Sequence, residues 1–183
     1  VRVSVYQRFG CGKLKERGMA RPWLPAGSVE LLIRASPERV YGAIADVTAV
    51  GGRSRECLRC DWLPDSKPGA VGARFRGRNR ANVVARWSRV CEVTIAEPGK
   101  AFAFRTLPET IDITRRDSTT WGYTLLPHSS GTLVTHYYEM TTPPLRFFKA
   151  VYGVLLSHHR DMRPHMTYTL AALKAELETG AAA

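Results

Sequence analysis

The chain has 183 residues, a net charge of +11 and 44% hydrophobic residues. That length suits one domain able to bury a core without disulfide or metal staples, and the composition excludes global disorder. No apolar run reaches the ~20 residues of a membrane-spanning helix, the longest candidate, 145–156, being broken by Arg146 and Lys149.

The start lacks the charged end and apolar stretch of a signal peptide, so a cytoplasmic protein is expected. Val1 stands where a chain normally begins with Met; a start at Met19 is an open reading, which would leave residues 1–18 outside the native protein. Residues 1–27 read as an irregular basic arm, and 28–179 as a single domain. In that domain Ser28–Ile33 alternates as a short strand. Ser36, Pro37 and Glu38 then spell a helix start: an N-cap, a proline at the first helical position and an acid at the positive end of the dipole. Val40, Tyr41, Ile44 and Val47 share one helical face, and Gly51-Gly52 breaks the element.

Six strand candidates follow: Cys57–Leu63, Ala73–Arg80, Trp87–Ala96, Ala101–Thr106, Thr119–Leu126 and Thr132–Met140. The gaps carry turn residues (64–69, 97–100, 127–131), which predicts hairpins and an antiparallel meander. Pro143-Pro144 ends the strands. A short helix is expected over 145–156, and a long one from Ser157, with Leu155, His159, Met162, Met166, Leu170, Leu173 and Leu177 on one face. Pro164 should kink or interrupt it, and Gly180 end it. Strands in series with helices at the two ends predict an α+β fold, a sheet of about seven strands covered by the last helix.

In order and spacing these segments resemble the START-related, polyketide-cyclase and pollen-allergen-like superfamily (SRPBCC), whose fold is the helix-grip. The resemblance rests on 35–47 as its opening helix, Val71-Gly72-Ala73-Arg74-Phe75-Arg76-Gly77 as a strand, 119–140 as a hairpin and 163–178 as the closing helix. Many relatives carry a Trp in the loop after Asp46, where this chain has Gly51-Gly52-Arg53. The resemblance implies a curved antiparallel sheet wrapped around a long C-terminal helix, with a hydrophobic cavity between them for lipids, sterols, hormones or polyketides. It carries over no catalytic residue, because the superfamily has no universal one.

Strand parity supplies the candidate cavity residues, since alternate side chains share a face. Phe75, Gly77 and Asn79 form one set. Trp87, Cys91 and Val93, then Phe102 and Phe104, then Trp121, Tyr123 and Leu125 form others. Val134, His136, Tyr138 and Met140 complete the sheet side, facing His159, Met162, Met166 and Leu170. Phe148 and Tyr152, with Leu145, Phe147 and Val151, are read as a gate. The expected ligand contacts are Phe75, Asn79, Trp87, Phe104, Trp121, Tyr123, His136, Tyr138, Phe148, Tyr152, His159, Met162 and Met166. His136 with Tyr138 or Tyr123 is the candidate proton-transfer pair.

Three further patterns are weighed. Cys57-Leu58-Arg59-Cys60 has CxxC spacing but no second pair for zinc, so it is read as structural. His158, Asp161 and His165 could form part of a metal site, but Pro164 disturbs their spacing and Arg160 and Arg163 flank them; no metal or cofactor is expected. Arg74, Arg76, Arg78 and Arg80 form a positive stripe that Arg86, Arg89, Arg115 and Arg116 could extend, read first as a solvated face. Functionally, the first reading is binding or transport of a small hydrophobic or amphipathic ligand (lipid, sterol or polyketide-like), with transient contact to an anionic membrane. The alternative is a polyketide cyclase/dehydrase-type enzyme using the same pocket. A nucleic-acid binder is the least favoured, because Phe75 points away from the stripe.

Overall fold

The computed structural model describes residues 23–81, 85–109, 111–112, 116–145, 147 and 156–179. Helix α1 (Pro37–Ala45) forms where its cap is written: Ser36 Oγ accepts the Arg39 N–H at 3.3 Å and Pro37 opens the first turn. The helix ends before the glycine pair. Asp46 caps a separate 3-10 turn, Val47–Gly52, by accepting the Thr48 N–H at 3.0 Å.

Seven strands follow the expected order, each end within two residues of its predicted place: β1 Ala26–Ile33, β2 Cys57–Trp62, β3 Arg74–Arg80, β4 Arg86–Glu97, β5 Ala101–Thr106, β6 Ser118–His128 and β7 Gly131–Thr142. They make one antiparallel sheet in the order β1-β7-β6-β5-β4-β3-β2. Register shifts lie between Cys57 and Arg59, between Val93 and Ile95, and between Ser118 and Thr119. Such bulges bend strands and steepen their twist, so they help the sheet curl.

Helix α2 (Arg163–Thr179) lies against β1 and β7 and touches α1. Its buried side chains, Met166, Leu170, Leu173 and Leu177, step by four, three and four along one face. Full burial of each is worth ~1.5–3 kcal/mol. Lys174 Nζ donates to the Leu32 carbonyl at 2.7 Å, and Glu178 accepts the Arg34 N–H at 2.8 Å, which fixes the helix axially on β1. The helix expected from Ser157, interrupted or kinked at Pro164, begins only at Arg163; before it stand a 3-10 turn, Ser157–Arg160, and a two-residue break. Pro164 is the reason: its missing N–H and fixed φ are harmless only in a first turn, so α2 begins at Arg163.

The core sits between α1, α2 and one end of the sheet, where Ile33, Val40, Phe102, Val134, Leu170 and Leu173 are all at or below 1% exposure. No helix among the described residues is long and apolar enough to cross a membrane. The first 22 residues of the predicted basic arm lie outside the described residues. The rest of it joins the domain, because β1 begins at Ala26 and the Leu24 N–H donates to the Arg160 carbonyl at 2.9 Å.

Gly51 stands where only a glycine fits. A Cβ there would run into the Leu58 carbonyl of β2, well inside van der Waals contact, whereas one at Gly52 would meet nothing within 4 Å. The 3-10 turn can lie on β2 only without a side chain at Gly51. Gly51→Ala should therefore lower unfolding free energy by about 1–3 kcal/mol in urea melts. Gly52→Ala should change it by less than about 0.5 kcal/mol. Equal effects would contradict this packing.

Candidate ligand cavity

Strand parity builds the site. β3 turns Phe75, Gly77 and Asn79 inward, β4 Trp87, Arg89 and Cys91, β5 Phe104 and Thr106, β6 Thr119, Trp121 and Tyr123, and β7 His136, Tyr138 and Met140. Together they line a cavity of about 530 Å³, within the ~300–1,000 Å³ of small-molecule sites. Leu156, His159, Met162, Met166 and Leu173 cover it, and Val47, Val50 and Arg53 close one side.

Eleven of the expected contacts therefore stand on the wall: Phe75, Asn79, Trp87, Phe104, Trp121, Tyr123, His136, Tyr138, His159, Met162 and Met166. Phe148, Tyr152 and Val151 of the expected gate lie outside the described residues. Val93, Phe102, Leu125, Val134 and Leu170 belong instead to the solid core, since α1 and the C-terminal half of α2 fill that end of the sheet.

Four rings form a ladder across β6 and β7. Trp121 pairs with Tyr138 and Tyr123 with His136 in the register. Tyr138 stacks on Trp121 (5.4 Å between centroids), Trp121 lies 6.1 Å from His136, and His136 stacks on Tyr123 at 4.0 Å with 4° between planes. His136 and Tyr138 are thus separated by the indole. The Tyr138 hydroxyl donates to the Leu24 carbonyl at 3.0 Å, and His136 Nδ1 lies 3.0 Å from the Gly122 carbonyl. A carbonyl only accepts, so Nδ1 carries the proton and the lone pair is on Nε2. Burial pushes the His136 pKa down to about 4, outweighing the Gly122 hydrogen bond, and burial pushes Tyr123 up. His136 is a neutral, weakly basic acceptor at pH 7, and the ladder is first of all a flat wall.

Arg89 is a correction. Expected as an extension of the outer stripe, it is 9% exposed and lines the cavity, because it shares parity with Trp87 and Cys91. Its Nη1 donates to Asp117 Oδ1 at 2.8 Å, and its Nη2 to the Asp117 carbonyl at 2.6 Å and the Leu107 carbonyl at 3.3 Å. Its Nε–H is buried with no acceptor among the described residues. On the outer face Glu92 pairs with Arg74 at 2.9 Å and with Arg105 at 2.8 Å, and Asp61 lies 3.8 Å from Arg78. Arg115 lies outside the described residues.

The histidines also gather differently from the expected trio. Asp161 turns back to Arg163, at 2.8 Å, and takes no part. Glu56 takes its place, with His158 Nε2 at 2.8 Å and His159 Nε2 at 3.1 Å from its Oε2. Burial alone would raise the Glu56 carboxyl, but the hydrogen bonds to the two imidazoles outweigh it and hold the pKa at about 2. Sequence reasoning missed Glu56, 102 positions from His158; only its neighbour Cys57 had drawn attention.

In the CxxC, Cys57 and Cys60 stand three apart and would face opposite ways in a regular strand. The bulge between Cys57 and Arg59 restores a common face, so the sulfurs lie 3.5 Å apart on the cavity wall. Their mutual hydrogen bond lowers the Cys57 pKa and, with burial, raises that of Cys60, while burial pushes Cys91 up to about 12.

The unfolded chain takes up a proton at His136 near 6.5, which the folded protein refuses until about 4. Its stabilising contribution is complete above pH 6.5 and is lost as pH falls from there towards 4. That loss is roughly 3 kcal/mol at 1.36 kcal/mol per pH unit. In urea titrations at pH 7.5 and 4.5, His136→Gln should lose roughly 2–3 kcal/mol less stability than the parent. Equal losses would show that His136 is not buried neutral.

Comparisons with known proteins agree with this architecture. No curated protein is similar enough in sequence to be matched. Among solved structures, the Polyketide_cyc-like protein Cgl2372 of Corynebacterium glutamicum is 28% identical, with a TM-score of 0.55 over 85% of this chain and 92% of that one. TTHA0849 of Thermus thermophilus is 19% identical, with a TM-score of 0.62 over 85% and 99%. The di-domain ARO/CYC StfQ from the steffimycin biosynthetic pathway is 13% identical, with a TM-score of 0.65 over 87% of this chain and 52% of that one. The sequence also matches one family across residues 27–178, strand β1 through helix α2. The chain belongs to the polyketide cyclase / dehydrase and lipid transport family, with the helix-grip fold that its sheet and closing helix display.

Proposed function

We propose that this chain binds a flat, largely apolar small molecule bearing oxygen substituents, polyketide-like rather than a simple acyl chain, in the cavity between sheet and helix. The observation that carries the reading is the pairing of the ring ladder with Arg89. Stacked rings offer a planar apolar face, and Arg89 on the same wall brings a positive guanidinium that favours a ligand carbonyl, phenolate or carboxylate. The net charge of +11 favours the approach of acidic ligands and transient contact with anionic membranes.

Cyclase or dehydrase chemistry in the same pocket is the second reading. Glu56 and His159, a carboxylate hydrogen-bonded to an imidazole on the cavity wall, favour it, because cyclisation needs proton transfer beside a bound carbonyl. They stand as a second candidate pair beside His136 and Tyr138, where the His136 Nδ1–H and the Tyr138 hydroxyl are engaged with backbone carbonyls and the His136 Nε2 lone pair is left. A nucleic-acid role draws no support from β3, whose aromatic residue Phe75 faces the cavity.

Native mass spectrometry and tryptophan-quenching titrations test the proposal with a polyhydroxy anthraquinone, a sterol and a fatty acid. The anthraquinone should bind one-to-one and most tightly. Gly77 supplies the control, since a Cβ there meets nothing closer than Cys60 Sγ at 3.6 Å and a larger side chain would grow into the cavity. Gly77→Leu should weaken binding at least about tenfold while the thermal midpoint holds. Arg89→Met should erase a preference of about tenfold or more for oxygenated over unsubstituted polycycles. Failure of all three ligands to bind, or binding untouched by Gly77→Leu, would refute the proposal.

A further inference from the structure

We propose that Glu56, His158 and His159 form a binding site for a divalent transition-metal ion of the zinc class at the edge of the cavity. This inference stands apart from the identity of the organic ligand. The three donor atoms lie within 4.8 Å of one another. Zinc holds nitrogen and oxygen ligands at ~2.0–2.2 Å in a tetrahedron, which places its donors ~3.3 Å apart. The Glu56 oxygens lie 2.8 Å from His158 Nε2 and 3.1–3.2 Å from His159 Nε2, close to that spacing.

The donors are held from both sides. Ser54 Oγ accepts the N–H groups of Glu56 at 3.1 Å and Cys57 at 2.9 Å, fixing the chain where β2 begins. The histidines ride on the 3-10 turn Ser157–Arg160, braced by the His159 N–H to the Leu156 carbonyl at 2.9 Å and the Asp161 N–H to the His158 carbonyl at 3.1 Å. Their rings are packed as well: His158 stacks on His165 at 4.6 Å with 7° between planes, and His159 meets the Trp87 face edge-on at 5.8 Å. Such outer contacts orient metal-binding imidazoles. The nearby cations are partly answered, Arg163 by Asp161 at 2.8 Å and Arg55 by the Tyr168 ring at 4.4 Å.

Two imidazoles and one carboxylate suit zinc or iron(II) better than calcium or magnesium. Three protein ligands leave a coordination position open, as in catalytic rather than structural zinc sites. Because Glu56 and His159 line the cavity, that position would be reachable by an oxygen of a bound molecule.

The test is Zn²⁺ titration of chelator-stripped, tag-free protein by isothermal calorimetry, with the bound metal counted by elemental analysis. One equivalent should bind, and Glu56→Gln and His159→Gln should each weaken it at least about tenfold. Cys57→Ser/Cys60→Ser should retain it, and Co²⁺ substitution should give ligand-field bands without a thiolate charge-transfer band. No stoichiometric uptake by the parent would overturn the proposal. So would uptake that survives Glu56→Gln, or uptake lost with the two cysteines and carrying a thiolate signature. Should the single variants unfold by circular dichroism, anomalous diffraction from zinc-soaked parent crystals decides. A peak bonded to Glu56 and the two histidines supports the site; a peak elsewhere or none refutes it.

Discussion

A seven-stranded sheet is wider than one helix can cover. Six strand spacings of ~4.8 Å span ~29 Å, while a helix with its side chains is ~10–12 Å across. The sheet answers by curling, and α2 by lying against β1 and β7 at one end of the strand order. There Leu170, Leu173 and Leu177 pack with α1 and the sheet into a filled core. Towards the other end of the strands, where Trp121, Tyr138 and Met140 lie, the covering passes to Met166, Met162, His159 and Leu156, and the space beneath is the cavity. The hollow lies where α1 and the C-terminal half of α2 no longer fill the inside of the sheet, and the residues facing it determine what can enter.

Several polar groups around that hollow are paired before any ligand arrives. Arg53 grips Glu176 through Nε at 2.7 Å and Nη2 at 3.0 Å, locking the 3-10 turn after α1 to the closing helix. Arg89 is held by Asp117, and Glu56 by two imidazoles. Each of these hydrogen bonds would leave a buried or half-buried polar atom unsatisfied if it broke, which favours one arrangement of the side chains. Rigidity matters for binding, since a fixed N–H or imidazole pays little entropy when a ligand oxygen meets it.

The β architecture was legible because period-two alternation and turn residues mark each strand independently. Inward residues such as Phe75, Trp87, Trp121 and His136 follow from that parity alone. Arg89 lay at the same parity as Trp87 and Cys91, yet its charge invited an outward reading; only Asp117, 28 positions away, explains how a guanidinium can be buried there. The common face of Cys57 and Cys60 depends on a bulge, which no spacing rule reveals. Glu56 meets His158 and His159 only because β2 lies at the sheet edge beneath the turn before α2, a tertiary outcome that periodicity within either segment cannot show. The break at Pro164 was visible, but not that it would release His159 and Met162 from the helix to cover the cavity.

Three of the four methionines, Met140, Met162 and Met166, line the cavity and report directly on it. Methionine ¹³C-methyl NMR, recorded while a polyhydroxy polycycle is titrated into the protein, tests whether a guest enters between sheet and helix. The resonances of these three methyls should shift together and show intermolecular NOEs to the ligand. Binding that leaves all three unmoved would place the ligand elsewhere and contradict it.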